Sequence, residues 1–335
     1  MTSSKLYITG LLITPIIFAL IAMTIGRYFV SFSDVFHTLS SVINGADSQL
    51  SALTKNVILN IRLPRVIMAM LVGGGLAVAG CAMQSLFANP IATPDTIGVG
   101  SGASFGAVLA ILLFNNIFAI QSLAFVMGIL AAMMTVTFSK LSKNNSIVMI
   151  VLAGMIVASF FAALTSLLKT IADTDTELPS IVFWLMGSMA GSSFEKLKYG
   201  AAPILLGVFI ITALRWKINA LLLSEDEIKS MGIHVKRMRM IVLCSATLIT
   251  ASAVSMCGQV GWVGLLIPHL CKLMVGNDNR KVIPFSFSLG ASFMLIVDTM
   301  ARSLSHAEIP LSIITALIGA PFFAFIMIRL AGRWR

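Results

Sequence analysis

The sequence predicts an all-α polytopic membrane protein of about ten transmembrane helices, on three observations. Only 11% of its 335 residues are charged and 58% are hydrophobic, whereas a water-facing domain carries roughly a quarter charged residues. The mean hydropathy, +0.98, describes the whole chain rather than one anchor. The apolar runs are continuous, without the alternation of barrel strands. Hydrocarbon offers backbone groups no partner, so such runs cross it as helices.

Crossing ~30 Å of hydrocarbon takes about 20 mostly apolar residues. The first candidate, residues 6–26, follows Lys5 and ends in Met23-Thr-Ile-Gly-Arg27, a poor cleavage site, so it reads as a retained helix rather than a secretory signal. Four more follow at 66–86, 97–114, 117–138 and 147–168. No charge occurs between Asp95 and Lys140, a stretch too long for one crossing, and Asn115-Asn116 is where it turns. The second half supplies 199–216, 240–257, 260–275, 283–300 and 309–330, the uncharged stretch after Met240 breaking near Gly258, Gly261 and Gly264. Residues 181–191 form an apolar segment too short to span. Gly102-Ala-Ser-Phe105 and Gly290-Ala-Ser-Phe293, in the third and ninth spans, fit an internal repeat of the kind common in transporters.

Ten spans put both termini on one side. With the termini inside, the Lys and Arg residues divide fifteen inside to eight outside, together the 23 of the chain. That satisfies the positive-inside rule, and topology then explains the pI of 9.8 without a nucleic-acid partner. The cysteines (Cys81, Cys244, Cys257, Cys271) form no CxxC pair and lie in or beside apolar runs, which suits packing better than metal or redox chemistry.

Three segments carry chemistry. Ser224 before Glu225, Asp226 and Glu227 is an N-cap with acids in the first turn; Ile228 and Met231 give an apolar edge, and Gly232 ends the helix. A short amphipathic helix, 225–231, is thus expected on the inner surface. Arg62 and Arg65 flank Pro64 just outside the second span and share a helix face, as a cationic site or as headgroup anchors. Asp298 and Arg302 stand at i and i+4 in the ninth span, and an intramembrane acid of this kind reads as an ion pair. No Gly-Lys pair occurs, so there is no phosphate-binding GxxxxGK[ST] loop and no means of using ATP alone.

Taken in order, the residues resemble the FecCD-type importer permeases. The likeness runs through Arg62-Leu-Pro-Arg-Val, Gly73-Gly-Gly75, Ala79-Gly80, Gln84, Asn89-Pro90-Ile-Ala, Pro94-Asp95 and Gly98-Val-Gly-Ser-Gly102. It resumes at Gly261-Trp-Val-Gly-Leu-Leu-Ile-Pro-His-Leu270, Asp278-Asn-Arg280, Asp298-Thr-Met-Ala-Arg302, Glu308-Ile-Pro-Leu311 and Thr315-Ala-Leu-Ile-Gly-Ala-Pro-Phe322. Trp262 stands where the family has Phe, and Lys272 where it has Arg. The resemblance implies a type II ABC importer in a bacterial plasma (inner) membrane. Two permeases, a homodimer or a paralogous pair, would sit over two ATPase subunits that hold ATP and Mg, below a soluble substrate-binding protein. This chain would be a single permease domain, 1–335, binding no cofactor and no metal. Its cargo would be an iron-siderophore, haem or cobalamin. The resemblance makes 219–239 the coupling-helix region, with Ser224, Glu225, Asp226, Glu227, Ile228, Met231 and Gly232 entering the ATPase. It makes Arg62, Arg65 and Arg302 the docking residues for the binding protein, and puts the fifth span and 181–191 at the outer gate.

A secondary transporter would need a coupling-ion site near the midplane, where the spans offer only Asp298. A membrane enzyme would need clustered ligands, whereas His37, His234, His269 and His306 are dispersed. The topology has a direct test: a cysteine placed at Ser305 should react with an impermeant thiol reagent on whole cells, and one at Ser230 should not. The reverse pattern would invert the charge assignment.

Overall fold

The computed structural model describes residues 2–44, 50–141, 147–305 and 307–331. In chain order its helices are α1 (Thr2–Thr24), α2 (Phe32–Asn44), α3 (Ala52–Asn56), α4 (Leu63–Leu86), α5 (Val99–Leu113), α6 (Ile117–Leu141) and α7 (Ile147–Ile171). There follow α8 (Glu177–Leu185), α9 (Phe194–Ala213), α10 (Arg215–Ala220), α11 (Glu225–Ser230), α12 (Val235–Cys257), α13 (Val263–Val275), α14 (Asn279–Ser303) and α15 (Leu311–Ala331). The ten expected spans are α1, α4 to α7, α9 and α12 to α15. Five of them, α4, α6, α9, α12 and α14, lie within stretches that are long and apolar enough to cross a membrane, as does most of α7, Val148–Ile171.

α4 is the hub. It is buried along nearly its whole length, packed by α14, α12, α13 and α9. Helices in lipid gain little from hydrophobic burial against each other, so close van der Waals approach must hold them. Small residues provide it. Gly73 of α4 meets Gly290 of α14 backbone to backbone, and Gly80 of α4 meets Gly264 of α13 in the same way; a Cβ at either α4 position would overlap the facing carbonyl. The repeated Gly-Ala-Ser-Phe tetrads have parallel uses: Gly290 lies at the α4 crossing, and Gly102 abuts Met127 and Ala131 of α6.

Two spans are short for a structural reason. After α4 the chain does not continue straight into α5: it folds back through Ala88–Thr93 and a 3₁₀ turn, Pro94–Ile97, against Gly154 and Ala158 of α7. Gly98, at φ +77°, then turns it into α5. Likewise α12 stops at Gly258 (φ +76°), and residues 258–262 lead into the 13-residue α13. Irregular backbone in a membrane chain is tolerable where protein covers it, as it does at Pro94, Ile97, Gly98, Gly258 and Val260. The expected turn at Asn115-Asn116 is present, Asn115 taking φ +43°.

Three elements differ from expectation. α2 lay outside the sequence reading; Ser31 and Asp34 cap it reciprocally, each backbone N–H donating to the other's side chain, while Val35 and Thr38 pack inward. The short apolar helix is Glu177–Leu185 rather than 181–191, because Gly187 (φ +75°) turns the chain away. A π-helical turn, Val57–Arg62, feeds α3 into α4.

Gly80→Ala should lower thermal stability in detergent by about 1–3 kcal/mol, since α4 and α13 must part to admit the methyl group. Fluorescence-detected unfolding measures this, and an unchanged midpoint would show that the crossing is not under steric constraint.

Candidate functional site

The surface helix forms as its sequence dictates. Ser224 Oγ accepts from the Glu227 N–H, while the Ser224 N–H and hydroxyl donate to Glu227 Oε2 at 2.9 and 2.7 Å, a complete capping box. The Ser224 hydroxyl and N–H hold the Glu227 carboxyl below the usual carboxylate range. The cap's contribution is therefore present above an ordinary glutamate pKa of ~4.3 and lost as pH falls through the lower folded value. Asp226 pairs with Lys229 at 3.3 Å. Ile228 is fully buried and anchors the helix to the rest of the chain, whereas Met231 is half exposed. Gly232, at φ +72°, turns α11 off towards α12 with open space around it. The side chain of Glu225 lies outside the described residues. The result is a capped helix, rooted by one isoleucine and presenting Asp226, Glu227 and Met231 outward.

At the opposite end of the bundle the charged residues sit inside it. Arg65 is 6% exposed and spends its whole guanidinium on two acids. Nε lies 2.9 and 3.1 Å from the two Asp298 oxygens, and Nη1 and Nη2 lie 2.8 and 2.9 Å from those of Glu308. Burial pushes the Glu308 carboxyl up, but the Arg65 fork more than offsets this and holds it below its usual range. Arg62 is 4% exposed and donates to the carbonyls of Met23, Thr24 and Tyr28. Arg302 is 8% exposed and donates to the carbonyl of Ala22. The last carbonyls of a helix have no intrahelical partner and carry the negative end of its dipole, so Arg62 and Arg302 together cap the C-terminus of α1. Gly26 makes room for both, since a Cβ there would crowd the two guanidinium groups.

The ion pair expected of Asp298 is present as part of a larger cluster. Asp298 and Arg302 do interact, at 3.6 Å, but the principal partner of Asp298 is Arg65, on another helix. Arg62, Arg65 and Arg302 were expected to present a docking surface for a binding protein; all three are buried and directed into the chain. The π-turn ahead of Pro64 separates Arg62 from Arg65, one reaching α1 and the other α14. Spacing alone showed two arginines on one face and gave no sign of interior acceptors.

The N-termini of the short helices α5 and α13 border a common cavity of about 290 Å³. Thr93, Asp95, Ser101, Thr250 and Gln259 supply its polar lining. Asp95 accepts the Gly100 N–H at the start of α5. Trp262 holds φ +70°, a left-handed conformation that costs a bulky residue of order 1–3 kcal/mol. Its ring packs where any side chain on Gly319 of α15 would stand. A second cavity, about 490 Å³, lies against Lys169, Met186 and Ser312 and shares Gln259, Gly261 and Trp262 with the first. Residues 186–188 are held there by hydrogen bonds: the Ser188 N–H donates to the Cys257 carbonyl, the Leu311 N–H to that of Gly187, and the Ser312 N–H to that of Met186. Trp262 thus stands between two cavities. The run of glycines around it was the available sequence signal, and it was read as a helix break.

Comparison with known proteins follows the same lines. The model of the FecCD transport family matches residues 12–329. The molybdate import system permease protein of Haemophilus influenzae is 40% identical over 321 residues, 96% of this chain and 95% of that protein. An iron chelatin transport system permease protein of Helicobacter pylori is 36% identical over 85% of this chain and 86% of its own. A solved structure of a metal-chelate type ABC transporter in an inward-facing conformation superposes with a TM-score of 0.87. It is 40% identical, with 97% of this chain and all of that one covered.

Arg65→Gln leaves Asp298 and Glu308 without their fork. Breaking a buried pair from one side costs about 3–5 kcal/mol, so the variant should unfold at a clearly lower temperature in detergent. Normal stability combined with lost association of a binding protein would restore the docking role.

Proposed function

Since this chain belongs to the FecCD transport family and is a permease subunit without an ATPase site of its own, we propose that it forms the translocation path of an importer in a bacterial plasma (inner) membrane, both termini cytoplasmic. The cargo is a metal chelate of the iron-siderophore, haem or cobalamin class, delivered by a soluble binding protein. Two ABC ATPase subunits, holding ATP and Mg, drive it, and a second permease, identical or paralogous, completes the path.

The observation that carries this reading is α11. A six-residue helix with its own capping box, a buried Ile228 root and an exposed Met231 is a preformed contact element just ahead of α12. Its acidic first turn and apolar tip suit a cleft on another protein. The paired cavities on either side of Trp262 supply a route that one side chain can interrupt. Molybdate is the second reading of the cargo, favoured by 40% identity to a molybdate permease along nearly the full chain.

The test is reconstitution in proteoliposomes with the ATPase and binding protein. Labelled iron chelate should accumulate only with ATP inside, and labelled molybdate in place of the chelate decides between the cargoes. Uptake driven by an ion gradient without ATP would overturn the importer reading. Met231→Glu and Gly232→Pro should leave membrane insertion intact but abolish cargo-stimulated ATP hydrolysis. The first places an unpaired charge in the interface, costing about 1–3 kcal/mol; the second fixes φ where the turn needs a positive value. Full uptake in either variant would show that α11 is not the coupling element.

A further inference from the structure

At the α11 end of the bundle a cavity of about 550 Å³ opens between α4, α6, α7 and α12. Its floor is apolar, formed by Leu86, Phe87, Val136 and Ile150. Its rim is cationic: Lys140 ends α6, Lys229 projects from α11, and Lys236 and Arg239 occupy the first turns of α12. Among the described residues no carboxylate lines it. Lys229 is matched by Asp226 at 3.3 Å, whereas Lys140 and Lys236, both exposed, have no acidic partner among the described residues.

We propose that this cavity binds an anionic phospholipid from the adjacent leaflet, the phosphate on the Lys140–Lys236 rim and an acyl chain on the Phe87–Ile150 floor. Three observations favour a lipid. A free anion would need the cations but not the apolar floor, and an apolar ligand would need the floor but not the cations; a phospholipid matches both. The rim also adjoins exposed apolar surface. Phe138 and Leu141 of α6 and Val148 of α7 are exposed apolar residues beside it, and Lys140 is near enough to the exposed thiol of Cys244, on α12, to interact with it electrostatically. Basic pockets between transmembrane helices are known to hold anionic headgroups on the cytoplasmic side, where anionic lipid makes the surface negative. Since Lys229 of α11 shares the rim, a bound lipid touches the same helix that the partner ATPase is proposed to engage, though the site itself does not depend on that role.

The experiment uses the full chain purified in detergent, mixed with micelles of phosphatidylglycerol and phosphatidylcholine in equal amounts, and native mass spectrometry to count retained lipids. The unaltered protein should retain phosphatidylglycerol in clear preference. The double variant Lys140→Gln/Lys236→Gln should lose that preference by about tenfold or more, as expected for removing two lysines from an anionic surface. Both lysines are exposed, so the variant should fold, which unchanged circular dichroism and melting confirm. Lys217→Gln/Lys281→Gln removes the same charge from α10 and α14 at the same end, away from the cavity, and should leave the preference intact. Glycerol phosphate, which has the headgroup chemistry without acyl chains, should not compete. Four results would overturn the proposal: no preference in the unaltered protein; equal loss in both double variants; full competition by glycerol phosphate; or unchanged lipid retention by Lys140→Gln/Lys236→Gln together with lost ATPase binding, which would make the rim a protein contact.

Discussion

Everything in this molecule is arranged around a helix that its neighbours bury along nearly its whole length. α4 is enclosed by its neighbours, and in a solvent of acyl chains such enclosure cannot be driven by hydrophobicity. It depends on contact distance, which depends on having no Cβ at Gly73, Gly80, Gly264 and Gly290. Once α14 and α13 lie directly on α4, the positions of other elements follow. The turn before α5 packs between α13 and α7, with Pro94 near Gly264 and Thr96 and Ile97 against Gly154. The break between α12 and α13 is held by the same close approach. Two short helices with irregular entries, ordinarily forbidden at membrane depth, become permissible.

The charged cluster at one end does for the helix ends what the glycines do for the helix bodies. Arg65 ties α4 to α14 and to the loop carrying Glu308, while Arg62 and Arg302 fasten the end of α1. The guanidinium groups outnumber the carboxylates of Asp298 and Glu308, and Arg62 and Arg302 place their charge against the negative end of a helix dipole. Arginine suits both tasks, since its planar fork can serve two acids at once, as at Arg65, or several carbonyls, as at Arg62.

Much of this was legible in the amino-acid order. Continuous apolar runs located ten helices, glycine and asparagine marked the turns, and Ser224 with Glu227 announced a capped surface helix, because each of these is a local property of the chain. The serine–glutamate box needs only three residues' separation and the same geometry wherever it occurs. α2 escaped notice because its apolar face is short and interrupted by serines and a histidine. The start of α8 was misjudged because its first turn is polar, and hydropathy alone does not see where a helix begins.

The sequence by itself determined the membrane fold and the capped helix at one end of it, since hydropathy and capping act over a turn or two of chain. Only the tertiary structure decided what the arginines do, because their partners lie far off in sequence: Asp298 and Glu308 for Arg65, the carbonyls near Met23 for Arg62. The same holds for Asp95 and Trp262, whose surroundings come from helices that meet only after folding. A charge on a linear chain reads as exposed by default; whether it is buried is fixed by what the fold brings within hydrogen-bonding distance, and that information is not local.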